Sequence, residues 1–396
     1  MIKLLATILI TVSLSVSAGG SFEFSGKAGA DLRLFADDAQ YSGQQGEVNL
    51  STFIEPELFW DWNEGSDSLT FKPFLRMDQN DSRRSHSDIR ELMWNHLGDD
   101  WELRAGIGKV FWGVTEFQHL VDTLNQTDAV EDVDGEAKLG QPMINLSLVR
   151  NWGIVDLFVL PGFRERTFPG VSGRLRTALP VDSDQVSYEA SNKAQHTDIA
   201  LRWSHAIGNY DIGLHWFHGT NRDPLLLSGT KGATPVLIPH YEQMDQVGLD
   251  LQATIDAWLW KLEALRRDSS SAEYWAAQGG FEYTLVGFNE SAADLGLLME
   301  YGWDERGTRA SAVMQNDLFL GARLALNDAA SSELLAGIGY DVDYSNKSLL
   351  IEASRRLGDN WKAGMNARFY FIDDLSDPIS SSADDSHLMF TLARYF

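Results

Sequence analysis

The sequence predicts an all-β chain closed into an antiparallel transmembrane barrel of about 18 strands, with roughly 16 as the lower count. Three observations lead there. Apolar and polar side chains alternate along run after run, short and long connections alternate between the runs, and tryptophans gather at the run ends.

The first twenty residues read MIKLLATILITVSLSVSAGG, with one Lys at position 3, an apolar stretch from Leu4 to Val16 and small residues at Ser17 and Ala18. This pattern predicts a secretory signal peptide, 1–18, cleaved after Ala18. The apolar stretch is shorter than the roughly 20 residues a spanning helix needs. No other stretch is apolar for as long, so residues 19–396 form a single barrel domain without spanning helices.

Period two dominates the remainder. In FEFSGKAGADLRLF, Phe22, Phe24, Ala28, Ala30, Leu32 and Leu34 alternate with Glu23, Ser25, Lys27, Asp31 and Arg33. In VGLDLQATID, Val247, Leu249, Leu251, Ala253 and Ile255 oppose Asp250, Gln252, Thr254 and Asp256. Such a strand presents one apolar and one polar face. Runs of this kind fall at 21–35, 48–62, 68–78, 88–97, 101–112, 142–150, 153–160, 195–206 and 210–218. The others lie at 243–256, 258–268, 274–286, 292–303, 312–326, 332–344, 347–357, 361–371 and 387–396. Most are about 9–14 residues long, near the length with which a tilted strand crosses a bilayer. Pro56 and Pro73 interrupt the second and third runs, which predicts a bulge or a later strand start there. Lys109 and Arg355 fall on the apolar face but toward run ends, where long side chains reach the interface.

Every second connection is tight: NEGSD, GDD, NW, IGN, DA, GFNES, NDAAS and GDN. The intervening ones, at 36–47, 79–87, 113–141, 161–194, 219–242, 269–273, 304–311 and 372–386, are mostly longer and polar; only SN at 345–346 is short. This sorting predicts brief periplasmic turns at one end and larger outer loops at the other. Tryptophan follows the same geometry. Trp60, Trp62, Trp94, Trp101, Trp152, Trp203, Trp258, Trp260 and Trp361 lie beside tight turns, and Trp112, Trp216, Trp275 and Trp303 near long ones. Indole favours the headgroup level, so two girdles are expected.

The last ten residues, HLMFTLARYF, place Leu388, Phe390, Leu392 and Phe396 in alternation. In this the chain resembles the Gram-negative outer-membrane β-barrel proteins of the porin-like class, although Arg394 stands where an aromatic is commoner. The resemblance implies that the last strand pairs with the first and is read by the barrel-assembly machinery. It implies an outer-membrane setting among lipid and lipopolysaccharide, with a homo-oligomer as one option. It also implies passive transport of small solutes, with no cofactor.

Composition narrows the field further. Cysteine is absent, which removes disulfides and thiolate metal sites, and a net charge of -25 repels nucleic acid. If lipid takes the apolar faces, the polar faces enclose water. Arg33, Arg76, Arg90, Arg104, Arg202, Arg323 and Arg368, from seven runs, are then the candidate pore-lining cations. Asp31, Asp78, Glu102, Asp198, Asp250, Glu263, Asp294, Glu300, Asp317 and Asp341 interleave as lumen acids. The 113–141 connection carries Glu116, Asp122, Asp128, Glu131, Asp132 and Asp134, candidates for an acidic constriction facing those arginines. Within it FQHLVDTLNQ has the spacing of a short amphipathic helix bearing Leu120, Val121 and Leu124. DVDGE carries only a fragment of a calcium-loop pattern, so no metal site is assigned. The next long loop is cationic, with Arg164, Arg166, Arg174 and Arg176 suited to phosphate or carboxylate oxygens of lipopolysaccharide or an anionic solute.

Catalytic signals are thin. His86 with Asp88 and His119 with Asp122 are the available pairs, and no nucleophile motif accompanies them, so no enzymatic activity is expected. The expected function is a porin-like channel for passive diffusion of small hydrophilic solutes, with selectivity set by the lumen arginines and the acidic loop. One alternative is a substrate-specific channel for an anionic oligosaccharide or a hydrophobic acid. Another is a non-conducting structural or adhesion barrel.

Overall fold

The computed structural model describes residues 20–310 and 315–396, so the expected signal peptide lies outside the described residues. The first strands in chain order are β1 (Ser21–Phe35), β2 (Val48–Trp62), β3 (Asp67–Asp78) and β4 (Ser87–Leu97). Next come β5 (Trp101–Gly108), β6 (Gln141–Arg150) and β7 (Gly153–Pro161). A two-residue strand, β8 (Ser187–Tyr188), lies in an outer loop ahead of β9 (Thr197–Ile207) and β10 (Tyr210–Thr220). An outer hairpin, β11 (Leu225–Lys231) and β12 (Thr234–Tyr241), precedes β13 (Gln243–Ile255), β14 (Trp258–Ser269) and β15 (Glu273–Leu285). The wall is completed by β16 (Asp294–Asp304), β17 (Asn316–Ala325), β18 (Glu333–Asp341), β19 (Lys347–Leu357), β20 (Trp361–Phe371) and β21 (His387–Tyr395).

Eighteen of these strands form one sheet, and β8, β11 and β12 form a separate three-stranded sheet. The large sheet closes because β1 pairs with β2 on one side and with β21 on the other, from Lys27 opposite Tyr395 to Phe35 opposite His387. Closure pairs the two edge strands from Gly26 to Phe35, the condition for a sheet to lie in hydrocarbon. Each of the expected runs corresponds to one wall strand, so the all-β barrel of about 18 strands is confirmed. The small outer sheet has no counterpart among the alternating runs, because its strands lie above the wall, where no lipid imposes alternation on them.

The outer surface explains the period. Leu50, Ile54, Leu157, Ile199, Leu214 and Val247 all point away from the lumen and are exposed, Val247 by 54%. A belt of this extent is far larger than the patches soluble monomers show, and its solvent is lipid. No helix among the described residues is long and apolar enough to cross a membrane; strands do the crossing. Trp152, Trp258, Trp260 and Trp361 lie exposed at the tight-turn end, and Trp216, Trp275 and Trp303 at the other. Trp112 departs from the expected girdle: it is buried inside the barrel, 4.8 Å from the ring of His215.

Local irregularities place charges. The β2–β3 ladder lapses opposite Pro56 and Pro73, where proline has no donor to give. The β3–β4 register shifts at Lys72/Pro73, leaving Arg90 as an extra residue on β4. This bulge puts both Arg90 and Glu91 on the lumen side, where Arg90 meets Asp128 at 2.7 Å and Glu91 meets Lys72 at 3.7 Å. Lys109 lies past the end of β5, and its charged neighbours Arg90, Glu55, Lys27 and Glu91 face the lumen; it is not on the lipid face. Arg355 does face outward, near a tight turn and 4.0 Å from Asp328.

Candidate functional site

The segment between β5 and β6 leaves the wall and fills the middle of the lumen. It contains no helix: FQHLVDTLNQ forms successive turns. Leu124 and Val121 are fully buried, but they pack on the wall from an irregular backbone, with the helical spacing coincidental. Their partners are inward apolar side chains of β4 to β13, namely Met93, Met143, Phe158, Leu160, Phe217 and Met244, joined by Trp112. The lumen face there is a small hydrophobic core.

Two buried glutamates then hold the loop's backbone. Glu263 of β14 accepts from the amides of Val114 at 2.7 Å, Thr115 at 3.0 Å and Val121 at 3.2 Å, and from the Thr115 hydroxyl at 2.6 Å. Glu300 of β16 accepts from the amides of Glu116 at 2.8 Å and Phe117 at 3.2 Å. Phe117 stacks on Phe319, centroids 4.8 Å apart, above the β17–β18 surface. A Cβ at Gly337 would stand 2.9 Å from its ring, so glycine keeps that seat open.

The distal half of the loop carries the acids into a nest of arginines. Arg76 binds Asp31 at 2.5 Å and Glu131 at 2.7 Å. Arg90 binds Asp128 at 2.7 Å, and the Arg84 guanidinium donates to the Val130 carbonyl at 2.9 Å. Arg368 reaches across from β20 to Asp134 at 2.8 Å. Glu116 pairs with Arg323 of β17 at 2.5 Å, and Asp122 with Lys138 at 3.1 Å. Asp132 and Asp134 of DVDGE both face Arg368.

Environment tunes these groups. Burial works against the charge of Asp128, yet the His86 hydrogen bond and the Arg90 charge prevail and hold its carboxyl down at about 2. Burial and the neighbouring Asp132 push Asp134 up to about 7. Burial disfavours protonated His86, but Asp128, the Arg84 carbonyl and Glu131 outweigh it and raise the imidazole above its usual range. His86 therefore partners Asp128 and Glu131, 3.4 and 3.6 Å away.

All seven expected pore-lining arginines point inward. Arg33 and Arg76 are buried near the loop tip, Arg104 chelates Glu102 at 2.7 Å, and Arg202 holds Asp250 at 2.7 Å. The expected lumen acids share that face. The cationic outer loop differs from a solvated patch. Arg164 binds Asp88 at 2.8 Å, Arg166 binds Asp223 at 2.6 Å, and buried Arg174 binds Asp385 at 2.5 Å. Arg176 donates to the carbonyls of Thr177 and Ala178 at 2.8 and 2.9 Å. Arg164 ties the outer loop to β4, Arg166 and Arg174 tie it to neighbouring outer connections, and Arg176 braces the loop's own backbone.

A cavity of about 220 Å³ opens between the lumen loop and the wall, lined by Arg166, Arg222, Arg267, Arg306, Asp223 and Tyr274 among others. Arg306 stacks over the Tyr274 ring at 3.6 Å, and Arg267 meets Asp223 at 3.1 Å. Arg222, Asp223, Arg267 and Arg306 belong to no sequence motif, although Arg267 shares the inward register of Glu263 on β14.

The chain matches no protein-family model and no curated protein sequence. Solved structures do resemble it. OccK8 (OprE) of Pseudomonas aeruginosa aligns over 96% of this chain and 99% of that one, at 8% identity and a TM-score of 0.54. Wzi of Escherichia coli, described as a carbohydrate-binding β-barrel involved in group 1 capsule assembly, aligns over 93% and 84%, at 8% identity and a TM-score of 0.52. At such identity the likeness is one of fold. The fold is that of the outer-membrane β-barrel proteins, and the closed 18-strand wall with its lipid belt makes this a Gram-negative outer-membrane protein.

Proposed function

We propose that the protein is a porin-like channel for passive diffusion of small hydrophilic solutes, its selectivity set by the lumen arginines and the acidic inward loop. The supporting observation is the transverse arrangement of charge: Arg76, Arg90, Arg323 and Arg368, from four strands, each hold an acid of one loop in mid-lumen. Solute passing beside that loop meets fixed charges of both signs, which favours polar over apolar solutes. The reading assigns no catalytic residue and no cofactor.

A second reading is a substrate-specific channel for an anionic oligosaccharide or a hydrophobic acid. The cavity favours it, since Arg166, Arg222, Arg267 and Arg306 converge there beside Tyr274 and Leu265. Reconstitution in planar bilayers tests both. Steady ohmic current that sugars and organic acids leave unchanged supports the general channel. Block by one acidic solute at low concentration supports the specific one. Absence of current overturns both and leaves a non-conducting barrel.

A further inference from the structure

His86 ends the connection ahead of β4, and its backbone is fixed there. Its amide donates to the Arg76 carbonyl at 3.1 Å, and its carbonyl accepts from the Arg76 amide at 2.9 Å. The ring is equally directed, with Nδ1 2.9 Å from the Arg84 carbonyl oxygen. A carbonyl only accepts, so Nδ1 carries a hydrogen and a neutral ring has its lone pair on Nε2. Nε2 is buried and has no hydrogen-bond partner among the described residues. It faces two carboxylates, Asp128 Oδ2 at 3.4 Å and Glu131 Oε1 at 3.6 Å. A lone pair set against two anions calls for a cation between them.

Three features fit a metal ion at that point. The separations are long for hydrogen bonds, yet they approach the edge of a zinc tetrahedron, about 3.3–3.4 Å for bonds of about 2.0–2.1 Å. Ligand atoms of all three residues lie within 4.8 Å of one another. The outer contacts are also those of a metal centre. A metal-ligating imidazole is commonly oriented by its second nitrogen donating to a carbonyl, and ligating carboxylates are themselves hydrogen-bonded. Here Thr167 donates to the other oxygen of Asp128 at 2.7 Å, and Arg76 forks onto Glu131 at 2.8 and 2.7 Å. Finally, Asp128 is fully buried, yet its Oδ2 accepts no hydrogen bond; the Arg90 nitrogen 2.7 Å away is misdirected for one.

The surrounding arginines do not expel a cation. Ion pairs link Arg76, Arg84, Arg90 and Arg164 to Asp31, Asp78, Asp88, Asp128 and Glu131, four positive charges against five negative. The network is short of positive charge at the place where Nε2 points.

We infer that His86, Asp128 and Glu131 form a zinc-binding site that clamps the tip of the lumen loop to the connection ahead of β4. Asp128 and Glu131 belong to one turn, in which the Glu131 amide donates to the Asp128 carbonyl at 3.0 Å. One ion on His86 therefore ties the whole turn to the wall. An imidazole nitrogen with two carboxylate oxygens suits zinc, whereas calcium and magnesium take oxygen ligands. Without zinc, a proton on Nε2 fills the gap, and His86 then forms the ion pairs described above. The site does not depend on whether the barrel conducts.

The test uses the whole protein in detergent, stripped of metal with EDTA. Cobalt(II), a coloured substitute for zinc, should develop the visible absorption of a low-coordinate site, and one equivalent of zinc should abolish it. Zinc should raise the melting temperature, EDTA should reverse the rise, and equal calcium or magnesium should leave it unchanged. His86→Ala and Asp128→Asn should each weaken zinc at least about tenfold. His218→Ala, which removes an exposed histidine 3.0 Å from Asp245, should leave zinc binding intact. If both ligand variants misfold, the wild-type cobalt and zinc titrations decide alone. A cobalt spectrum that stays that of the hydrated ion, with a melting temperature indifferent to zinc, overturns the site. Zinc binding that survives both ligand substitutions overturns it as well, since the metal then sits elsewhere.

Discussion

The two ends of the lumen loop are held by different physics. Its root, Val110 to Leu124, rests on apolar side chains of β4 to β13 and on the carboxylates of Glu263 and Glu300. Its tip, Asp128 to Asp134, is held by Arg76, Arg84, Arg90 and Arg368 with little apolar contact. Apolar burial responds little to salt or pH, whereas ion pairs respond to pH and, where solvent reaches them as at Arg368 with Asp134, to salt as well. The loop is therefore firm where it leaves the wall and adjustable where it crosses the lumen.

Four measurements sharpen or break that contrast. The largest effect is expected from Leu124→Ala, which empties the fully buried root and should weaken loop docking by about 2–5 kcal/mol. Faster hydrogen exchange at the 113–125 amides and a larger single-channel conductance check it. Glu263→Ala follows, since it leaves three loop amides without an acceptor and should cost about 1–3 kcal/mol. Unchanged exchange in this variant would remove the glutamate from the root. Arg368→Ala should free the tip alone at about 1 kcal/mol, raising conductance in low salt and little in high salt. Equal effects in both salts would show that the tip does not depend on charge.

The smallest effect is that of pH. His86 has a raised pKa, so its contribution is fully present below about 6.5 and is lost as pH rises through the higher docked value. Asp134, pushed up to about 7, binds a proton more readily docked than free, so rising pH between about 3.9 and its docked value also weakens docking. Both signs agree: conductance should climb modestly from pH 5 to pH 8, and His86→Gln should flatten the climb.

Legibility in the sequence follows the same division. Wall strands are legible because lipid and water face opposite sides of each and enforce period two. The acids of the tip and their arginines are legible as unpaired charge on alternating faces. The root is harder. After Asp156, Leu157 to Leu160 place apolar side chains on both faces, which signals that something covers the lumen side there, but not what. Leu120, Val121 and Leu124 have helical spacing, yet tertiary packing overrides it, with Val121 and Leu124 on β4 to β13 and Leu120 on β14 and β15. Glu263 reads as one more lumen acid; only the folded loop reveals its four donors. The outer arginines, Arg164 to Arg176, carry an anion-site signature in sequence because their acidic partners, Asp88, Asp223 and Asp385, lie far off along the chain.

The pairing of β1 with β21 joins the first and last of the described strands, so the cylinder is complete only once both are in place. Until Phe390 and Leu392 arrive beside Leu32 and Ala30, a growing sheet carries two raw borders, each able to recruit a stranger. In hydrocarbon both borders would leave backbone groups without partners, so sealing the cylinder and burying it in lipid are a single requirement.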